Sequence, residues 1–444
     1  MLYRVFILFF LIVESLFSQE NKQIVDLTHL YKKALEQNFT IIVKNNNIII
    51  NNKQKFSINK DKSECIIGLY CQGNYNSMLV LEQLVKRHYK ESKTKKNKLL
   101  LDMFYENKAK KLDAVLLFQL SLIYFDTLKL QKNKDLLQER IYLIKDNMKI
   151  SKKREKSGIK QDKDLKKWNV ELKNVKNDLL KVKEKILKNK TSLSYLTNSN
   201  IKNKKLKDYF IDSEEFKILN ETIAFYINNK EKFDSISSKL SNEIIQNDKE
   251  IKILNSLIEH KSKVVKKSNK YEKQLKEKSQ KNIQEGKNLT KEHKPWSSEK
   301  FDKIIQEKLS VYMNAKITNK TVQNKSELQN LIYTLSNKKI KIKKKIYDIL
   351  KKVLSSYKTI NNTYISSITT RNNFIGIKKL YDRSKIDMKV LLDSQNSMII
   401  SNQNRYSSIY DYLENILMLY YDAGSLNIIY DKNEKSKFET KIFR

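Results

Sequence analysis

One proline, Pro295, and six glycines stand in a chain of 444 residues, and between Asn74 and Glu285 the only glycine is Gly158. Glycine and proline are the residues that most strongly end helices, so more than two hundred residues carry a single strong breaker. The pattern predicts a helix over roughly 86–157, about 72 residues or ~108 Å at 1.5 Å per residue, and a turn at Gly158. A returning helix follows, where Leu165, Leu172, Leu179, Ile186 and Leu193 recur every seventh position up to Asn198. The same forty-residue frame recurs from Ser384 to Gly424. There Leu391, Met398, Tyr412 and Leu419 hold the same phase, broken only by Arg405. A seven-residue apolar repeat marks helices wound on one another, and its distant duplicate marks two structural repeats. Two long helical hairpins, head to tail, are the predicted frame.

The first eighteen residues, MLYRVFILFFLIVESLFS, read as a signal peptide: Arg4 leads, Val5 to Val13 form the apolar run, and cleavage follows Ser18. No later segment is apolar enough for a membrane helix, so a membrane crossing would require a β-barrel. The formal net charge of +39 comes from lysines spread along nearly the whole chain with an excess of Asn and Ile. That spread reads as solvated helix faces, so nucleic acid is not an expected partner. Cys65 and Cys71 are six apart, too distant to bridge within one extended segment. His29, His88, His260 and His293 share no metal-ligand spacing, and neither a nucleophile–base pairing nor a phosphate-binding glycine loop is found. The sequence therefore argues against an enzyme and implies no cofactor or metal.

In chain order, the signal peptide (1–18) precedes a first repeat, 19–198, with an amphipathic helix over 24–57 and a strand pair over 64–84 around Gly73-Asn74. A linker covers 199–217. The second repeat, 218–426, opens with another helix and continues through 262–294, rich in Lys, Glu, Gln and Asn, which reads as a solvated loop. Residues 309–317 alternate, with Leu309, Val311, Met313, Ala315 and Ile317 on one side; that predicts a strand, lipid-facing if it belongs to a barrel. A helix of about 60 residues (~90 Å) then runs to Ser384, its partner to Asp422, and a polar, basic tail over 427–444 is expected to fray.

The stretches 122–165 (LIYFDTLKLQKNKDLLQERIYLIKDNMKISKKREKSGIKQDKDL) and 380–426 (LYDRSKIDMKVLLDSQNSMIISNQNRYSSIYDYLENILMLYYDAGSL) resemble the hairpins of the TolC-like outer membrane efflux proteins. The likeness includes a glycine turn with a following aspartate, a terminal Gly-x-Leu and the forty-residue spacing. It implies a mainly α fold: two tandem coiled-coil hairpins that form a trimeric helical barrel. Four strands per chain would contribute to a shared twelve-stranded outer-membrane β-barrel. It also implies a homotrimer set in outer-membrane lipid with a large periplasmic part, docked to a periplasmic adaptor (membrane fusion) protein and to an inner-membrane RND or ABC transporter. The function implied is passive, an exit duct for efflux or type I-like secretion; the alternative is an exported coiled-coil structural or adhesive protein without a pore. By position, the resemblance implies a periplasmic gate in which Tyr381 meets Asp164, an acidic ring at Asp393 with Val390 where a second acid is usual, and hairpin turns at Gly158 and Ser384. The serines Ser394, Ser401 and Ser408 read either as lining the lumen or as a stripe that lets helices approach closely, with packing the favoured reading.

Overall fold

A computed structural model describes residues 24–38, 40–44, 47–51, 81–90, 95–157, 162–210, 230–290, 298–429 and 431–443. The elements are β1 (Ile24–Val25), α1 (Leu27–Asn38), β2 (Thr40–Lys44), β3 (Asn47–Asn51), α2 (81–90), α3 (Lys95–Lys156), α4 (Asp162–Thr197) and β4 (Lys205–Leu206). They continue as α5 (Lys230–Asn247), α6 (Lys249–Thr290), α7 (Ser298–Asp382), α8 (Met388–Asp422), a 3₁₀ turn (Leu426–Ile428) and α9 (Lys432–Phe443). The fold is mainly helical. Contacts divide the chain into two compact units, one of 1–72, 109–240 and 345–444, the other of 73–108 and 241–344.

In the first unit the two hairpins share one core. Leu137 and Ile144 of α3, Trp168, Val175 and Val182 of α4, Phe374 and Tyr381 of α7, and Met388, Leu391 and Met398 of α8 are all buried together. In α4 the heptad leucines Leu172 and Leu179 with Ile186 are half-buried flanks of this cluster. The deepest positions are Trp168, Val175 and Val182, the other edge of the same seven-residue seam. Two αL caps finish the returning helices. Asn198 (φ 46°) and Gly424 (φ 70°) each sit where the next amide reaches five residues back: Ser199 N to Ser194 O, 3.1 Å, and Ser425 N to Tyr420 O, 2.8 Å. That is the Schellman ending, which needs a residue tolerant of positive φ.

A parallel bridge, Ile24 to Lys205 and Val25 to Leu206, ties the chain start to the segment after α4. The buried Tyr124 hydroxyl lies 2.6 Å from the Lys207 carbonyl oxygen and 3.1 Å from that of Val25, and the Leu27 amide donates to the Tyr209 hydroxyl at 3.3 Å. Asp208 accepts from Tyr410 of α8 at 2.6 Å and pairs with Lys132 of α3 at 2.5 Å. Residues 199–210 of the expected linker are therefore a structural brace.

The second unit is helical. Leu81 and Val85 of α2, Leu101 and Phe104 of α3, Ile253, Leu254 and Leu257 of α6, and Leu331 of α7 form its core. Ion pairs run along it: Lys338 with Glu250, Lys261 with Glu327 (2.5 Å) and Lys108 with Glu82 (2.8 Å).

Several sequence expectations change. Within 24–57 the helix stops at Asn38, and an antiparallel hairpin follows with Ile41 opposite Ile50 and Val43 opposite Ile48. Runs of β-branched residues on both sides of Asn45-Asn46 favour strands over helix. Of the strand pair expected over 64–84, residues 64–80 lie outside the described residues and 81–84 open α2. The solvated loop over 262–294 is helix through Thr290, because Lys, Glu and Gln are good helix formers and the polar composition belongs to an exposed face. The strand over 309–317 is likewise helix, inside the 85 residues of α7. Its alternation lies in a stretch with no glycine or proline between Pro295 and Gly376, so helix propagation through it meets no breaker. The tail does not simply fray: Leu426 and Ile429 are buried, and Phe438 of α9 rests against Tyr420 at 5.7 Å. Of the expected barrel strands, 309–317 is helix, and the pair over 64–84 lies outside the described residues except for 81–84, which are helix.

Candidate functional site

The ends of the two hairpins are where the sequence places its functional residues. Ser384 occupies the turn between α7 and α8 at φ 59°, and Lys385 N reaches Leu380 O at 2.9 Å while Ser384 N reaches Tyr381 O at 2.9 Å. This is the same Schellman geometry as at Asn198 and Gly424, here with a serine in the αL position. Gly158 lies outside the described residues; the first turn is bounded by Ser157 and Asp162.

Tyr381 is fully buried. Its hydroxyl lies 3.0 Å from Ser151 Oγ, and the Arg154 guanidinium covers its ring at 4.1 Å from the centroid. Ser151 and Arg154 are three apart on α3, so one helix face presents both to Tyr381. Asp164, half-buried at the start of α4, is not hydrogen-bonded to Tyr381. Within this one chain the Tyr381 ring points into the four-helix core, where Ser151 and Arg154 in the last turns of α3 lie against it. The signal was present in the heptad Leu130, Leu137, Ile144, whose next step is Ser151.

Further polar contacts join the hairpins along the core. Lys378 pairs with Asp146, and Asn147 Nδ2 donates to Gln395 Oε1 at 3.4 Å. Arg140 of α3 reaches both Glu171 of α4 and Asn396 of α8, the latter at 2.6 Å. Gln403 donates to Asn133 at 2.7 Å, and Lys129 lies between Asp411 (2.5 Å) and Glu414 (3.0 Å). Burial pushes the Glu414 carboxyl up, with Lys129 opposing; burial alone would lower Lys129, but Glu414 and Asp411 carry it up. The serine stripe is buried against α7: Ser401 Oγ meets Ser366 Oγ at 2.9 Å and Ser408 Oγ meets Thr363 Oγ1 at 2.8 Å. Asp393 and Val390 are exposed on α8. No group of three or more metal-ligating side chains occurs among the described residues. The arrangement holds helices together through contacts that can be exchanged one at a time; it presents no reactive pair.

The backbone matches solved structures across most of its length. It aligns with the outer-membrane channel OprN over 74% of this chain and 70% of that one, with a TM-score of 0.50 and 8% identity. It aligns with the Campylobacter jejuni CmeC outer membrane channel over 78% and 71%, with a TM-score of 0.50 and 11% identity. The fold is that of the outer-membrane channels. No protein-family profile and no curated protein matches the sequence. At 8–11% identity the likeness lies in the course of the backbone. No described helix of this channel-fold chain is long and apolar enough to cross a membrane.

Proposed function

We propose that the protein is a trimeric outer-membrane exit duct for efflux or type I-like secretion. It would be passive, without cofactor, docked through a periplasmic adaptor to an inner-membrane RND or ABC transporter. The observation that carries this reading is the tandem pair of packed helical hairpins in one chain with the channel fold. One chain cannot close a tube with two hairpins, whereas copies related by cyclic symmetry can. Exposed apolar side chains at helical spacing support that closure: Val170, Leu180, Leu187 and Tyr195 on α4, and Tyr364, Ile365, Ile368 and Ile375 on α7. Two different surfaces of this kind suit a head-to-tail contact between copies, which generates a ring.

In this reading the hairpin ends are the gate. Tyr381, held by Ser151 and Arg154, keeps the second hairpin against the first, Asp164 flanks the first turn beside Gly158, and Ser384 forms the second. Asp393, exposed and repeated around the ring, sets cation preference; Asp393→Ala lowers it without opening the closed state.

Chemical cross-linking in detergent and single-channel recording in planar bilayers test the reading together. A trimeric mass and discrete conductance are expected. A monomeric, non-conducting chain would instead favour an exported coiled-coil structural protein, the reading supported by the helical course of 309–317.

A further inference from the structure

Four polar side chains recur at heptad spacing along one edge of α3: Asn133, Arg140, Asn147 and Arg154. They run beside the heptad Leu130, Leu137, Ile144 and Ser151, so α3 turns a mostly apolar row and a polar row toward its neighbours. Each polar side chain crosses to the second hairpin. Gln403 donates to Asn133 at 2.7 Å, Arg140 donates to Asn396 at 2.6 Å, Asn147 donates to Gln395 at 3.4 Å, and Arg154 covers the Tyr381 ring at 4.1 Å. Asn147 and Gln395 are fully buried. Asn147 Oδ1, Gln395 Nε2, Arg140 Nε and both Nε and Nη2 of Arg154 have no hydrogen-bond partner among the described residues. Buried polar atoms left unpaired cost stability, so adhesion alone does not account for this row.

What such a row can supply is position. The apolar seam barely distinguishes a slide of one heptad, about 10 Å along the axis. Leu391 and Met398 lie seven apart on α8, as Leu130, Leu137 and Ile144 do on α3, so each would meet another apolar side chain. The polar row does distinguish it. The contacts Asn133–Gln403 and Arg140–Asn396 step seven residues in opposite directions along antiparallel α3 and α8, and the next step on α8 is Lys389. A slide of α8 toward the hairpin ends brings Lys389 level with Arg154, and a slide the other way brings it level with Arg140. Either sets two cations together and parts the amides from their present partners. Polar side chains at core positions of wound helices select one register in this way, at a cost in stability.

We propose that Asn133, Arg140, Asn147 and Arg154 form a register lock that admits one longitudinal setting of the second hairpin against the first. Gln403, Asn396 and Gln395 answer to that row, and Lys389 excludes both one-heptad neighbours. The setting so chosen brings Tyr381 to Ser151, their oxygens 3.0 Å apart, and thereby levels the two hairpin ends. The lock lies within one chain and acts with or without a duct.

The test uses the full chain with Cys65→Ser and Cys71→Ser, carrying nitroxides at Lys149→Cys and Asn404→Cys. Both positions are exposed, on α3 and α8, about 25 Å apart along the axis. Dipolar electron resonance reads their separation, with labelled chain diluted in excess unlabelled chain so that distances lie within one molecule. A pair at Asn361→Cys and Ser397→Cys, within the second hairpin, is the control. The natural ladder should give one narrow distance. Asn133→Leu, Asn147→Leu, Gln395→Leu and Gln403→Leu together should raise the urea midpoint and add distances displaced by about 10 Å across the hairpins, while the control pair keeps its distance. Adding Lys389→Ala should enlarge the displaced fraction several-fold. Lys389→Glu alone, at an exposed site that leaves the core intact, should also populate displaced distances by meeting Arg154 or Arg140, and it decides the matter if the leucine variants do not fold. A single unshifted distance in Lys389→Glu and in whichever leucine variants fold overturns the lock. So does a lower urea midpoint with an unshifted distance in the leucine variant, which would make the amides plain adhesive contacts.

Discussion

The returning helices α4 and α8 share a heptad phase and line one core, but they bury different chemistry. α4 contributes Trp168, Val175, Val182 and Leu193, all apolar or aromatic. α8 contributes Met388, Leu391 and Met398 but also buries Ser394, Gln395, Ser401 and Ser408. Apolar burial is non-directional and grows with area, whereas a neutral hydroxyl pair nets only about 1 kcal/mol. The first hairpin is therefore held chiefly by volume, with the Arg140–Glu171 pair beside that core, and the second partly by exchangeable hydrogen bonds. Small side chains also let α8 lie close to α7. A hairpin that must shift while its neighbour stays fixed is better built in the second way.

The comparison breaks most easily at Trp168. Trp168→Ala should destabilise the folded chain by about 3–5 kcal/mol, the cost of emptying a large aromatic site. Ser401→Ala, which loses only the bond to Ser366, should cost about 1 kcal/mol. Urea midpoints followed by circular dichroism measure both; similar losses at the two sites would erase the distinction between the hairpins. Trp168→Phe should fall well below Trp168→Ala, because the indole nitrogen has no hydrogen-bond partner to lose.

Tyr381 gives the next largest effect. Tyr381→Phe keeps the ring under Arg154 and removes the bond to Ser151, so stability should fall by about 0.5–1.5 kcal/mol. In a double-mutant cycle with Ser151→Ala, a coupling of about 0.5–1.5 kcal/mol is expected, and with Asp164→Asn one near zero. Reversed couplings would restore the Asp164 pairing. On the gate reading, Tyr381→Phe also raises single-channel conductance, and wild-type conductance would remove Tyr381 from the gate.

The turn residues sharpen the comparison further. Ser384 and Gly424 adopt the same αL conformation, and a Cβ on Gly424 would meet nothing within 4 Å. The difference between them is then backbone preference alone. Ser384→Gly should stabilise by about 0.5–1 kcal/mol, an αL penalty of about 1–2 less the extra unfolded freedom of glycine, and Gly424→Ser should destabilise by a similar amount. Denaturation midpoints moving the same way in both variants would contradict this symmetry.

Much of this architecture was legible because its signals are local and repeated. The heptad phase marks Leu391, Met398, Tyr412 and Leu419, all buried, and αL-tolerant residues mark the ends at Asn198 and Gly424. What the sequence hid depends on tertiary context. Ser151 is an ordinary serine until α3 and α7 pack together. The nine-residue alternation at 309–317 suits a strand, but an unbroken helix on either side outweighs it, whereas the shorter Ile and Val runs at 40–51, bounded by asparagines, do become strands. Trp168, Val175 and Val182 stay hidden in the sequence because the leucines three positions before each already define a seven-residue seam.

The last and smallest effect concerns pH. Asp422 closes α8, where the helix dipole disfavours negative charge. Burial pushes its carboxyl above the ordinary aspartate range, with Lys345 at 2.6 Å opposing part of that rise. The folded state therefore holds this proton more tightly than the unfolded chain does. Its contribution to stability is complete below the ordinary aspartate pKa and is lost as pH rises through the raised folded value. Glu414, raised chiefly by burial, acts in the same direction. Asp422→Asn should flatten the fall in stability over that window and leave the acidic side unchanged, since asparagine imitates the protonated carboxyl. The loss of Lys345's partner is a minor cost, because that lysine is 40% exposed. Urea midpoints at a series of pH values check it; a variant that keeps the wild-type slope would show that Asp422 titrates normally, and that Lys345 holds the end of the second hairpin as a full ion pair.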